Sequence, residues 1–219
     1  YAFDGTGGGA MGHLEDITGV DITGADASFE LWIRPDDLTG DEVLFEAGGA
    51  TDGISLVLLD GELAFTVNDG GAPDPAGGPR ADITNLLSGG EFNQVIGTID
   101  LDPAGDATLS LYLNGQLLGA ETVAGIADWA DDDGSGLGMA NGAVNLVDGA
   151  PGSFAGDIAG LRIYNTALDA DAVDRAYMAV SGGIMVSGHD ATSALGAAVW
   201  VNGDGSFSYD PTAAPDIQG

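Results

Sequence analysis

The sequence contains no cysteine and no lysine. Without cysteine there is neither a disulfide framework nor a thiolate metal site, and the compartment is left open on that ground. The whole basic complement is four arginines, Arg34, Arg80, Arg162 and Arg175, against 35 acidic residues, for a formal net charge of −31. Nucleic acid and anionic membrane surfaces are both repelled by such a chain and are excluded as partners. No apolar run is long enough for membrane insertion, and no signal-peptide pattern precedes Tyr1. The two histidines, His13 in a glycine-rich loop and His189 near the C-terminus, stand beside nothing resembling a nucleophile elbow. They read as surface residues.

What remains is a chain of 219 residues with an ordinary apolar share of 44%, enough to bury a core of globular size. Phe29–Arg34, FELWIR, alternates strictly: Phe29, Leu31 and Ile33 on one face, Glu30, Trp32 and Arg34 on the other. Short strands are also expected at 42–46, 54–59, 62–67, 91–99, 107–113 and 116–123. Asp60-Gly61 and Asn114-Gly115 supply hairpin turns between them. Weaker candidates lie at 136–140 and 144–147. Many short strands, abundant turn glycine and almost no helix predict an all-β fold, an antiparallel two-sheet sandwich. The acids are scattered among these strands, which excludes a disordered acidic tail. Solubility in salty water and calcium coordination by loop carboxylates both stay open, and are compatible.

One stretch is more specific. In Ser153–Tyr177, SFAGDIAGLRIYNTALDADAVDRAY, a strand through Ile158, Leu161, Ile163 and Tyr164 is followed by a short helix that Asp169 can cap. Val173, Ala176, Tyr177 and Val180 share one face of that helix. Gly156, Asp157, Ile158, Leu161, Arg162, Ile163, Tyr164, Asn165, Ala167 and Leu168 resemble the closing signature of the laminin G-like, pentraxin-like branch of the concanavalin A-type jelly rolls. Asp169 stands where that signature has serine. YAFDGTGG, ASFELWIRPDDL, LFEAGG, GISLVLLDGELAFTV and LSLYLNGQLLG resemble its earlier strands in order. The resemblance covers about residues 1–180 and implies a jelly roll with one short C-terminal helix. Where relatives carry W-H-H-V, this chain has Phe92-Asn93-Gln94-Val95, so no role of those histidines is carried over. Residues 182–219 form a separate segment, GHDATSALGAAVWVNGDGSFSYDP being similar to the start of a VCBS-type, cadherin-like repeat of bacterial adhesins. Its local reading is a hairpin with Val199, Val201, Phe207 and Tyr209 alternating. A lone hairpin is marginal in water, so these strands are expected to lean on the first domain (1–181) or on a neighbouring chain.

Three chemistries are conceivable for these residues. Glucanases of the jelly-roll class use E-x-D-x-x-E on one strand, and no such triad occurs; Glu42 and Glu46 bracket Val43–Phe45 without it, so no enzyme activity is expected. For calcium, the resemblance implies two aspartate pairs as metal ligands. Asp4 and Asp157 lie on the first and closing strands, and Asp69 and Asp148 match, loosely, the rim aspartates of laminin G-like modules. Asp131–Asp133 form a third acidic loop, of the kind that points into solvent. For carbohydrate, Trp32, Trp129 and Tyr112 are the aromatic candidates for ligand stacking, Trp129 in particular because it lies in the acidic loop IADWADDDG. Together these point to a calcium-assisted, carbohydrate-binding adhesion module of a large secreted bacterial surface protein, the chain being a piece of something longer. The alternative is a structural spacer or fibre subunit assembling by strand pairing between chains.

Overall fold

The strand expected at Phe29–Arg34 forms as Ala27–Pro35 in the interior of one of two sheets. The computed structural model describes residues 1–11, 14–19, 21–49, 52–69, 77–87, 90–126, 129–130, 134–141, 152–181, 198–201 and 207–210. In chain order the elements are β1 (Ala2–Asp4), β2 (Gly9–Ala10), α1 (Leu14–Thr18), β3 (Ala27–Pro35), β4 (Asp41–Gly48), β5 (Asp52–Leu59), β6 (Glu62–Asp69) and β7 (Arg80–Asp82). They continue with β8 (Asn93–Leu101), β9 (Ala107–Leu113), β10 (Gln116–Val123), β11 (Gly136–Leu137), β12 (Gly152–Ser153), β13 (Ala155–Tyr164), α2 (Ala170–Ser181), β14 (Ala198–Val201) and β15 (Phe207–Asp210).

One sheet runs β1-β13-β3-β8-β9-β10 and the other β2-β11-β4-β5-β6-β7, with β12 alongside β4. Every pairing is antiparallel except β12 with β4. This is the expected jelly-roll sandwich, with one helix after its closing strand. The hairpin residues behave as their chemistry requires: Asp60 and Gly61 have φ of 47° and 92°, Asn114 and Gly115 φ of 50° and 80°. Two consecutive residues in the left-handed region match the twist of the flanking strands.

The period-2 pattern of FELWIR fixes the layers. Phe29, Leu31 and Ile33 enter the core between the sheets, with Leu109 and Leu111 beside them and Phe45, Leu56 and Phe65 from the opposite sheet. The Phe29 ring lies 5.7 Å from Phe45 and 6.3 Å from Phe65. Gly97, opposite Phe29 on β8, makes this possible: a Cβ there would stand 2.6 Å from the Phe65 ring. A second, smaller cluster lies on the other face of the first sheet, where Ile96 and Tyr112 are capped by Val173 and Leu168.

Contacts divide the chain into two units, Tyr1–Val173 and Asp174–Gly219, the division falling within α2. Asp169 caps that helix as expected, its Oδ1 accepting the Ala172 N–H at 2.7 Å. Of the apolar face proposed for α2, Val173 is fully buried while Val180 stays 48% exposed. In the second unit β14 and β15 form the expected hairpin, in the register Val199↔Tyr209 and Val201↔Phe207. The strand expected at 144–147, the loop Asp131–Asp133, His13, His189 and Asp148 lie outside the described residues.

Candidate functional site

A cleft of about 750 Å³ opens at the edge of the sandwich where the shortest strands are. Strand β13 is ten residues long and its neighbour β1 only three. The ladder between them sets Ala2 against Asp157, and Tyr1 exchanges backbone bonds with Ile158. β13 bulges at Ala159. Phe3 and Leu161 wall the cleft from one sheet, Leu137 from the other and Met11 from the chain just after β2, and Gly7–Gly9 run along it. Tyr1 at its rim is 83% exposed. Gly7 and Gly160 face open space, with no atom within 4 Å of where a Cβ would stand.

The sequence-predicted stacking residues are elsewhere. Trp129 is fully buried, its ring edge-on to Phe29 at 6.3 Å and its Nε1–H bonded to the Ala25 carbonyl at 3.1 Å. It is a core residue, which corrects the expectation that it offers a face to ligand. Tyr112, 6% exposed, is in the cluster under Val173 and is likewise taken up by packing. Trp32, 7% exposed, donates its Nε1–H to Glu30 at 2.7 Å. None of the three presents an open ring.

That last bond belongs to a hub that sequence reasoning missed. Glu30 is fully buried on the outer face of β3. Its Oε1 accepts from Trp32, from Gln94 Nε2 at 3.0 Å and from Arg162 Nη1 at 2.8 Å, and its Oε2 from the Tyr164 hydroxyl. Burial pushes the carboxyl up. The bonds from Tyr164, Gln94 and Trp32 and the charge of Arg162 outweigh that, leaving it below the usual carboxylate range. The Tyr164 phenol is pushed up to about 12, by burial first and then by the bond to Glu30 and its negative charge. Arg162 sits opposite Glu30 in the β3–β13 ladder. Two residues before Glu30 on β3, Ser28 donates to the Thr166 carbonyl and accepts the Leu168 N–H, holding the chain that follows β13.

The aspartates of the first expected metal pair are likewise committed. Asp4 Oδ1 accepts both the N–H and the hydroxyl of Thr6, at 3.0 and 2.6 Å. Asp157 Oδ2 is held by Arg34, at 3.1 Å from Nε and 2.6 Å from Nη2. The register sets Asp157 against Ala2 and Asp4 against Ala155, so the two are diagonal neighbours, not facing ones. An arginine on one carboxylate and a threonine on the other do not suit calcium, which wants six to eight oxygens free to turn toward it. Among the described residues no three acidic or histidine side chains converge as a metal site. Asp69 closes β6 opposite Asp52; its expected partner Asp148 is outside the described residues.

Among the described residues the Asp4–Thr6 turn is one of four. Asp21 with Thr23, Asp37 with Thr39 and Asp82 with Thr84 repeat it, each threonine donating its N–H and hydroxyl to one aspartate oxygen. The threonine hydroxyls, then the N–H groups, hold all four carboxyls below their usual range. This side-chain bond two residues on is what makes aspartate a turn former, but the D-x-T spacing alone does not fix it: Asp106-Ala107-Thr108 has the same spacing and opens β9.

The family model for the concanavalin A-like lectin/glucanases superfamily matches residues 6–174. The chain belongs to this superfamily. No curated protein matches its sequence. Among solved structures it is similar to the CBM40 of Ruminococcus gnavus IT-sialidase bound to alpha2,3 sialyllactose, at 15% identity and TM-score 0.54, covering 78% of this chain and 94% of that one. It is similar also to domain 4 of AbnA, a GH43 extracellular arabinanase from Geobacillus stearothermophilus, in complex with arabinotriose: 21% identity, TM-score 0.55, 80% and 74% covered. Domains LG4-5 of the mouse laminin alpha1 chain share 18% identity at TM-score 0.51, with 75% of this chain and 42% of that one covered. At these identities what is shared is the fold.

The superfamily's name includes glucanases, and the glutamates of β4 are the acids that a catalytic pair would need. A bulge between Val43 and Phe45 breaks the alternation there. Glu42 is paired with Leu58, which faces the main core, and Glu46 with Ser55, which faces away from it. The two side chains leave opposite faces of β4 and cannot flank one glycosidic bond. Burial raises the Glu42 carboxyl first, with Asp37 and Asp36 adding to it against the Ala155 N–H, but Glu46 is not its partner.

Proposed function

We propose that this chain is a non-catalytic, carbohydrate-binding module working outside the cell as part of a larger surface protein. The observation that carries the reading is the match of the concanavalin A-like lectin/glucanases superfamily model to residues 6–174, on a two-sheet sandwich. The sugar complexes of two solved structures of the same fold support it. Among the described residues no helix is long and apolar enough to cross a membrane. The adhesin setting rests on the cadherin-like resemblance of residues 182–219. A calcium role is retained only for Asp69 and Asp148, and a calcium-dependent rise in sugar affinity that Asp69→Ala abolishes is its test. Isothermal titration of the 219-residue chain with short oligosaccharides tests the main reading: saturable heat without release of reducing ends is expected, and turnover of any of them overturns it.

A second reading draws on β10. This eight-residue strand is an edge of its sheet, and Leu117 on it is 55% exposed. Long apolar edges are templates for strand addition. A structural subunit assembling through that edge would run as oligomers in light scattering, and Leu117→Lys would return it to monomers.

A further inference from the structure

Phe92 stands immediately before β8, beside the Asn114-Gly115 turn, and its side chain is 37% exposed. Its ring lies against the Arg34 guanidinium, 4.9 Å from Cζ to the ring centroid. That guanidinium is itself fixed, Nε and Nη2 both donating to Asp157 Oδ2 at 3.1 and 2.6 Å. The backbone around the ring is fixed as well. Asn93, fully buried, donates its Nδ2 to the Glu91 carbonyl at 3.0 Å and accepts the Asn114 Nδ2 at 2.8 Å. Phe92 is thus an aromatic platform held in place from below and from both sides. Next to it opens a cavity of about 250 Å³, lined by Arg34, Asp36, Asp37, Leu38, Leu87 and Glu91 among others. The three acids are exposed. Asp36 donates its N–H to the Ala155 carbonyl at 3.0 Å, and Asp37 is set by its turn with Thr39, made through Oδ1.

We propose that this platform and the cavity beside it form a sugar-binding site, in which Phe92 stacks on the C–H face of one sugar ring and Asp36, Asp37 and Glu91 accept its hydroxyls. The proposal rests on the carbohydrate-binding reading above and gives it a place on the fold. A sugar ring is apolar on its C–H face and carries hydroxyl donors around its edge. A site for it therefore needs an aromatic surface next to a few fixed polar groups, and this end of the sandwich supplies both. Hydroxyls bonded to a carboxylate make shorter, stronger bonds than neutral pairs do. Because Arg34, Asn93 and Asp157 order the platform before any ligand arrives, little ordering cost is left to binding. The acids also set the class of sugar. A carboxylate- or sulfate-bearing one brings like charge against Asp36, Asp37 and Glu91, while the arginine in the lining is engaged by Asp157.

The experiment is calorimetric titration of the full chain and its variants with arabinotriose, cellotriose and 3′-sialyllactose. A neutral sugar is expected to bind saturably, and the acidic one more weakly. Phe92→Ala should weaken the neutral binding about tenfold or more, while Phe92→Tyr, which keeps the ring, should stay within about threefold. Glu91→Gln and Asp36→Asn, both at exposed positions, should each weaken it several-fold with the melting curve unchanged. These two variants decide the matter alone if Phe92→Ala fails to fold. Neutral binding untouched by the Phe92 and the acidic substitutions overturns the proposal and leaves the carbohydrate-binding reading standing, since the sugar is then held elsewhere. An acidic sugar that binds more tightly than the neutral ones does the same. Binding of no sugar in the panel overturns both.

Discussion

Arg162 and Glu30 face each other across β13 and β3, Nη1 to Oε1 at 2.8 Å, with the arginine half exposed and the glutamate fully buried. A buried carboxylate is costly unless its acceptors are filled, and here Trp32, Gln94 and Tyr164 fill what Arg162 does not. The closing strand is therefore fixed to the sheet by a charge whose removal is felt asymmetrically. Arg162→Met should destabilise more than Glu30→Gln, because it strands a buried anion, whereas the amide keeps an acceptor and the shape. Losses of about 3 kcal/mol for the first and about 1–2 for the second are expected in urea unfolding. Equal losses would show that the hub is packing alone.

The same hub sets two pH limits. The Glu30 carboxyl is depressed in the fold, so its contribution is present above its unfolded pKa of about 4.3 and is lost as pH falls through the lower folded value. The Tyr164 phenol is raised to about 12, so its contribution is whole below about 10 and is lost between there and 12. The hub's own contribution to the melting temperature, read as the difference from Glu30→Gln so that relief of net charge cancels, should thus be flat across neutral pH, fall below about pH 4, and fall again above about 10. Tyr164→Phe should flatten the alkaline limb specifically. An alkaline limb identical in that variant would place its origin elsewhere.

The layers of the sandwich were legible because strict alternation in FELWIR and the turn chemistry of Asp60-Gly61 and Asn114-Gly115 are local. The closing signature was legible as a pattern, but its meaning was not. Arg162 and Tyr164 are explained only by Glu30, which is 132 positions away from the first of them, and no local rule reports a contact across that separation. Trp129 defeats sequence reasoning for a related reason. An acidic neighbourhood in sequence describes its flanks, while the indole itself is drawn across to Phe29 by the fold. The D-x-T turns are local, but the same spacing at Asp106-Ala107-Thr108 opens a strand, so the pattern alone does not single them out.

Those turns bear on the metal. Asp157→Asn would remove the charge that pairs with Arg34, and Asp4→Ala the acceptor for Thr6. Both pairs are solvent-exposed or partly so; Asp157→Asn should cost about 1 kcal/mol or less, and Asp4→Ala should leave the melting curve little changed. Neither should alter the response of the melting temperature to calcium, whatever that response is in the unmodified protein. A calcium-dependent shift that vanishes in both variants would restore the pair as a metal site and refute the assignment of these carboxylates to Arg34 and Thr6.

Net charge makes the last prediction. With a net charge of −31, four arginines already counted against 35 acids, the folded chain is held together against its own field. The repulsion acts mainly between exposed carboxylates further apart than one Debye length at moderate salt, about 10 Å at 0.1 M, and so is the component that salt screens most completely. Raising NaCl from about 0.02 to 1 M should therefore raise the melting temperature by about 5 °C or more, since about 2–4 °C accompanies each kcal/mol in a domain of this size. The gain should follow ionic strength and not cation identity: NaCl and choline chloride at equal concentration should coincide. The Glu30 hub, buried and short-range, should not share in it, so Arg162→Met should lose the same stability at both salts. A melting temperature that falls with NaCl, or that rises with sodium but not with choline, would show that specific ion binding, not self-repulsion, governs the acidic surface.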